Sequence, residues 1–312
     1  MSRLLEICIS KERGTAKVPV GEAVLREDWG LEGDAHAGSW HRQVSLLAFE
    51  RIEEFRRRGG DVDPGAFGEN LIIEGLDLRA LPVGTRITVG GEAVLELTQI
   101  GKECHSHCEI YKRVGDCIMP REGVFARVVR GGQIQKGDQV QTELPSPDRP
   151  FTAAVITLSD KGAIGERKDE SGPLAARMLE QAGYKVEEQL LLADGIEPLK
   201  SQLIRLADQR QIGVIFTTGG TGFSPRDLTP EATIAACDRM AEGIAQAILG
   251  YSLSITPRAM FSRAVSGIRG GTLIVNLPGS PKAVREALEF LLPHLEHGLG
   301  ILRGTDGECG GK

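Results

Sequence analysis

The chain has 312 residues, 41% of them hydrophobic and 26% charged, with a net charge of −6. That balance belongs to a folded water-exposed protein, and the interspersed signs exclude the clustered basic face of a nucleic-acid binder. At roughly 150 residues per domain the length predicts two domains.

The opening run, MSRLLEICISKERG, is too short in apolar residues for a secretory signal. No stretch approaches the ~20 apolar residues of a membrane span. A cytoplasmic protein with no membrane partner is expected. Three of the six cysteines crowd into residues 104 to 117, a spacing that favours reduced thiols over a disulfide framework.

From the N-terminus, short β-rich runs alternate with glycine turns: QVSLLAF, ENLIIEG, TRITVGG and AVLELTQI. One helical stretch, FERIEEFRRRGG, interrupts them and stops at its glycines. The pattern predicts a mostly β first domain, a barrel, over residues 1–141. After AVLELTQI comes a soft-ligand cluster of Cys104, His105, His107, Cys108 and Cys117. It reads as a Zn²⁺ site, as one reactive thiolate favoured by His105, Lys102 and Arg113, or as ordinary buried cysteines. Asp34, His36 and His41, in or beside a glycine-rich stretch, either contact a ligand or satisfy turns.

Residues 142–150, TELPSPDRP, hold three prolines among polar residues and predict a short linker. Beyond it strands and helices alternate. TAAVITLS, KVEEQLLLA, IGVIFTT and GTLIVNLP read as strands. SGPLAARMLEQAG, IEPLKSQLIRLADQ, further helices to about Leu253 and PKAVREALEFLLPHLEHGLGIL read as helices. Continuous apolar strands between amphipathic helices predict a three-layer α/β/α domain over 151–303 with a mostly parallel sheet. Residues 304–312, GTDGECGGK, carry no apolar content and are expected to be a disordered tail.

In such folds ligands bind at the carboxyl ends of the strands. IGVIFTT runs into Gly219, Gly220, Thr221 and Gly222, glycines that free backbone N–H groups for an anion or simply make a tight turn. The pattern is not that of a P-loop. Asp227 follows closely, as a turn residue or, if a phosphate occupies the loop, as a ligand for Mg²⁺ between them. Thr229 and Pro230 read as N-cap and first helical residue. The turn Pro278, Gly279, Ser280, Pro281 and Lys282 places an N-cap serine beside a lysine that opposes the helix dipole, a hint of an anionic ligand or a solvated cation. Ser159, Asp160, Asp169, Ser171 and Asp194 fall at other strand and helix ends on the same edge, where caps and turns are the ordinary reading.

The segments ITLSDKG, DESG, TTGGTGFSPRDLTPEAT and NLPGSPKAV together resemble the MogA/MoaB family of molybdopterin adenylyltransferases. The resemblance implies Mg²⁺ and ATP as cosubstrates, molybdopterin as acceptor, and a homo-oligomer built on trimers. It matches Asp194 and Asp227 to the family's catalytic acidic positions and the glycines 219, 220 and 222 to its nucleotide loop. Ser280 and Lys282 fall in its other substrate turn. The implied reaction is attack of a molybdopterin phosphate oxygen on the α-phosphorus of ATP. The same fold occurs in competence-damage-inducible (CinA-like) nucleotide-processing proteins and in molybdenum-insertion enzymes. A carrier or sensor of molybdopterin without catalysis is a further alternative.

Residues 1–141 resemble a MOSC domain, a module related to the molybdenum-cofactor sulfurase C-terminus, through GLEGDAHAG, FGENL and GVFARVVRGGQIQKGD. That resemblance implies binding of the molybdenum cofactor or a sulfur-bearing cysteine, and it matches Cys104 to the family cysteine. The extra Cys108 and Cys117 depart from a single-cysteine pattern. Without a pyridoxal-phosphate domain, sulfur would come from a partner donor, and a molybdenum-insertion enzyme is a second expected partner.

Overall fold

A computed structural model describes residues 1–103, 111 and 115–305. The chain divides into two compact units, Met1–Ser146 and Pro147–Lys312. Cys104, His105, His107, Cys108, Arg113 and the segment 306–312 lie outside the described residues.

In the first unit the strands are β1 (Arg3–Ile9), β2 (Val18–Pro19), β3 (Glu22–Arg26), β4 (Gly30–Leu31), β5 (Val44–Ala48), β6 (Leu71–Glu74), β7 (Arg86–Val89), β8 (Ala93–Ile100), β9 (Val124–Arg130), β10 (Gly132–Gln135) and β11 (Val140–Glu143). Eight of them form a sheet ordered β11-β7-β8-β9-β5-β6-β1-β2, and β10-β3-β4 form a smaller one. Within these sheets only β5 and β6 pair in parallel. The large sheet curls enough for Val140 N–H to donate to Ser2 O at 3.0 Å and Leu4 N–H to Asp138 O at 2.8 Å. Its concave face is filled by alternating residues such as Leu4, Leu46, Ile87, Leu95 and Ala126, as period-2 patterning requires. The predicted helix is α1 (Phe49–Arg57). β11 extends two residues into the stretch read as linker.

The second unit holds β12 (Thr152–Leu158), α2 (Ser171–Gln181), β13 (Lys185–Leu192), α3 (Ile196–Ile204), β14 (Val214–Thr218), α4 (Thr229–Ala236), β15 (Arg239–Met240), α5 (Glu242–Ile255), β16 (Ser266–Arg269), β17 (Thr272–Leu277) and α6 (Pro281–Arg303). The sheet order is β13-β12-β14-β17-β16-β15. The first four strands are parallel and the last two joins antiparallel. Ala153 and Val155 pack with α2, α5 and α6, while Ala154, Ile156 and Leu158 pack with α3 and α4. Burial on both faces explains why these strands are apolar throughout instead of alternating. The four parallel strands end together, which brings the residues after Leu158, Leu192, Thr218 and Leu277 to one edge.

Candidate active site

Two adjoining features occupy that edge. One is a cleft of about 640 Å³ whose walls include Ser159, Asp169, Ser171, Gly219, Gly279 and Ser280. The other is an acidic rim made by Asp160, Asp194 and Asp227.

The rim is fixed by reciprocal bonds across β12 and β13. Asp194 N–H donates to Asp160 Oδ1 at 3.0 Å and Asp160 N–H to Asp194 Oδ2 at 3.3 Å. Partial burial raises the Asp194 carboxyl above its ordinary value; the Asp160 N–H opposes this, and the charges of Asp160 and Asp227 add to it. Arg226 reaches Asp160 at 3.3 Å with its side chain 77% exposed. Asp227 closes its own turn, accepting Ser224 N–H at 2.9 Å.

Between cleft and rim runs the glycine loop. Gly219 and Gly220 take φ of 96° and 65°, conformations that exclude most side chains. A Cβ on Gly219 would stand 2.4 Å from Leu158 O, and one on Gly222 2.9 Å from Asp227 Oδ2. The loop's carbonyls are committed: Thr229 Oγ1 donates to Gly219 O at 2.9 Å and Thr229 N–H to Gly220 O at 3.1 Å. Arg263 N–H donates to Thr221 O at 2.8 Å and Arg263 Nε to Gly222 O at 2.8 Å. The same guanidinium reaches Asp227 O and Glu231. No acceptor among the described residues takes the N–H groups of Gly220, Thr221 or Gly222. A loop with spent acceptors and available donors suits an anion.

Across the cleft, Asp169 Oδ1 accepts Ser171 N–H at 3.0 Å and Gly172 N–H at 3.1 Å, opening α2. Ser171 Oγ donates to Gly279 O at 2.9 Å, and Thr218 Oγ1 to Pro278 O at 2.7 Å. These bonds hold the turn after β17 against the other strand ends. Ser280 caps α6 as expected, accepting Ala283 N–H at 3.3 Å.

The structure therefore brings Ser159, Asp169, Ser171, Gly219, Gly279 and Ser280 into the cleft wall, with Asp160, Asp194, Gly220, Thr221, Gly222 and Asp227 beside it. Lys282 is not among them: it is exposed and lies 3.7 Å from Glu286 one helical turn on. Thr229 departs from its expected role. It is the first residue of α4, and its hydroxyl serves Gly219 instead of capping the helix.

Arg263 carries no sequence signal, because it sits 36 residues beyond Asp227 in a segment with no motif. Thr157, which also lines the cleft, is hidden inside an apolar strand run. Cys117 is buried with Ile118, Met119, Ile52 and Phe67. Among the described residues no three His, Cys, Asp or Glu side chains converge as a metal cage. No helix of the described residues is long and apolar enough to cross a membrane.

Residues 154–297 match the family model described as "Probable molybdopterin binding domain", and residues 33–141 match the MOSC domain. The chain is 36% identical over 156 residues to the molybdopterin adenylyltransferase of Helicobacter pylori strain J99, covering 48% of this chain and 87% of that protein. It is 38% identical over 172 residues to gephyrin of Dictyostelium discoideum, covering 52% of this chain but only 24% of that longer protein. Among solved structures, the molybdopterin biosynthesis enzyme MoaB of Thermus thermophilus is 42% identical, over 51% of this chain and 99% of that one, with a TM-score of 0.48.

Proposed function

Through its C-terminal unit the chain belongs to the molybdopterin adenylyltransferase family, and on that basis we propose that it transfers AMP from Mg-ATP to molybdopterin during molybdenum-cofactor synthesis. The observation that carries the reading is the junction of an N–H-rich glycine loop with the Asp194 and Asp227 carboxylates, beside a cleft large enough for a second substrate.

In the reaction a phosphate oxygen of molybdopterin forms a bond to the α-phosphorus of ATP. The bond from that phosphorus to the bridging oxygen breaks, and pyrophosphate leaves with the electron pair. The attacking oxygen is already ionised near neutral pH, so no strong general base is needed. The barrier is the meeting of two anions, which positioning and fixed dipoles lower. The N–H groups of Gly220, Thr221 and Gly222 face phosphate oxygens in this reading. Asp194 and Asp227 would hold Mg²⁺, which would supply charge neutralisation to the phosphates. Hard carboxylate oxygens fit that ion. Two protein carboxylates would suffice for Mg²⁺, an ion that usually keeps substrate phosphates and waters as its other ligands.

For the N-terminal unit, the MOSC match supports binding of the same cofactor or handling of its sulfur, with Cys104 as the cysteine to test.

The decisive experiment mixes the purified chain with molybdopterin and Mg-ATP and follows pyrophosphate release beside Asp227→Ala. Pterin-dependent release, reduced about a hundredfold or more by the substitution, is expected. Pterin binding without release would make the chain a carrier or sensor. Nucleotide hydrolysis indifferent to pterin would instead place it with the CinA-like enzymes.

A further inference from the structure

The N-terminal unit holds an imidazole whose inner edge is committed and whose outer edge is not. Lys17 Nζ, on a side chain 1% exposed, donates to Asp34 Oδ2 and lies 3.2 Å from His36 Nδ1. Asp34 Oδ1 stands 3.6 Å from the same ring nitrogen, beyond hydrogen-bond reach, and accepts the His36 backbone N–H at 2.9 Å instead.

A lysine ammonium has donors only, so His36 Nδ1 must accept, and the hydrogen of the neutral ring sits on Nε2. The buried ion pair thereby selects one tautomer. Nε2 has no partner among the described residues and is open to solvent, on a side chain 34% exposed. The loop that carries it is tied down on both sides: Ala35 N–H donates to Ser10 O at 2.8 Å and Trp40 Nε1 to His36 O at 2.9 Å.

A cation stands beside this donor. Arg13 Nε donates to Ala35 O at 3.0 Å, and no acceptor among the described residues takes its two terminal amino groups. Lys17 already balances Asp34, so Arg13 brings a charge that neither of them offsets.

We propose that His36 Nε2–H and the terminal amino groups of Arg13 bind an oxyanion, a phosphate group, and that Lys17 is the positioning residue that makes His36 a donor. Imidazole N–H and guanidinium groups are matched to phosphate oxygens. A ring with its hydrogen on Nε2 has no lone pair there, so the same geometry excludes His36 from ligating a metal through its exposed edge. The inference stands apart from the adenylyltransferase reading, which concerns the other unit.

The test titrates the full chain with inorganic phosphate, with sodium chloride at matched ionic strength as the control. The Trp40 indole N–H, bonded to His36 O, reports on this loop whatever phosphate does at the glycine loop. Long-range ¹H–¹⁵N spectra of the histidine rings, assigned with His36→Leu, read the tautomer before phosphate is added. His36→Gln restores a donor near the place of Nε2. Arg13→Gln alters an exposed side chain and keeps the test standing should His36→Leu disturb the fold.

The Nε2–H pattern is expected, with a saturable phosphate-dependent shift of the Trp40 indole signal. His36→Leu and Arg13→Gln should each weaken phosphate binding about tenfold, and His36→Gln should recover most of that loss. An Nδ1–H pattern would overturn the inference. So would the absence of any shift, a shift that chloride reproduces, or one that either Arg13→Gln or a folded His36→Leu leaves unchanged.

Discussion

Each unit holds polar groups away from bulk water, but on different terms. In the N-terminal unit the Lys17 and Asp34 side chains are 1% and 0% exposed and paired. Asp34 also accepts the Ser10 N–H at 3.1 Å and the His36 N–H at 2.9 Å. Burial alone would raise its carboxyl; the hydrogen bonds of His36 and Lys17 outweigh that and hold it well below its ordinary range. Glu69, fully buried, takes the N–H groups of Gly65 at 2.8 Å and Phe67 at 3.0 Å. The glycine loop of the C-terminal unit, in contrast, keeps the N–H groups of Gly220, Thr221 and Gly222 without partners among the described residues. Polar groups matched inside a fold hold it together; those left unmatched in a cleft mark where a ligand completes it.

The largest test of that contrast is Lys17→Met. It leaves Asp34 buried with its charge uncompensated, and about 3–5 kcal/mol of stability should be lost. Both tryptophans, Trp29 and Trp40, lie in the N-terminal unit, so urea unfolding followed by tryptophan fluorescence reports on this unit. A loss below about 1 kcal/mol would mean that the pair is not what holds GLEGDAHAG in place.

A smaller effect is expected from Glu69. Burial pushes its carboxyl from the ordinary 4.5 up to about 7, against the opposing bonds from Gly65 and Phe67. Because the folded value exceeds the unfolded one, the folded unit binds the extra proton between those limits. Its contribution is fully present below about pH 4.5 and disappears as pH rises through about 7. Stability should therefore fall over that window, on the order of 1–3 kcal/mol. Glu69→Gln should remove this slope while adding an offset independent of pH, since its amide N–H₂ opposes a backbone N–H. Equal slopes in the two proteins would break the assignment.

The same contrast governs what the sequence made legible. The alternation of apolar strands and amphipathic helices specified the C-terminal layers, because continuous burial leaves a compositional trace in each strand. Ser280 was readable as a cap because its partner, Ala283, is three residues away. Lys282 read as an anion contact because sequence shows the dipole mismatch but not Glu286 one turn further on. Thr229 misled for a similar reason: a threonine before proline looks like a cap, while its real partner, Gly219, is ten residues upstream across the loop. Lys17 and Thr157 gave no signal, since one is an ordinary lysine in a polar stretch and the other a β-branched residue in a strand. Their significance depends on burial and on partners distant in the chain.

Arg263 tests whether the site's unmatched donors depend on a matched frame. It is the site's committed cation, tying Gly222 O and Asp227 O to Glu231. Its own N–H also holds Thr221 O, a bond that substitution does not remove. Arg263→Ala deletes the side-chain bonds of a group only partly sheltered from water, so about 1–2 kcal/mol of stability is expected to go, read from far-UV circular dichroism in urea. Turnover should fall further than that loss explains, by about tenfold, because a displaced Gly222 or Asp227 misaligns the phosphates. Arg263→Lys keeps the charge near Glu231 but not the planar fork, and should recover stability more than turnover. If both variants lose stability and keep full pyrophosphate release, Thr229 alone suffices to shape the loop. The available N–H groups would then owe their positions to the glycine backbone, with no contribution from the arginine side chain.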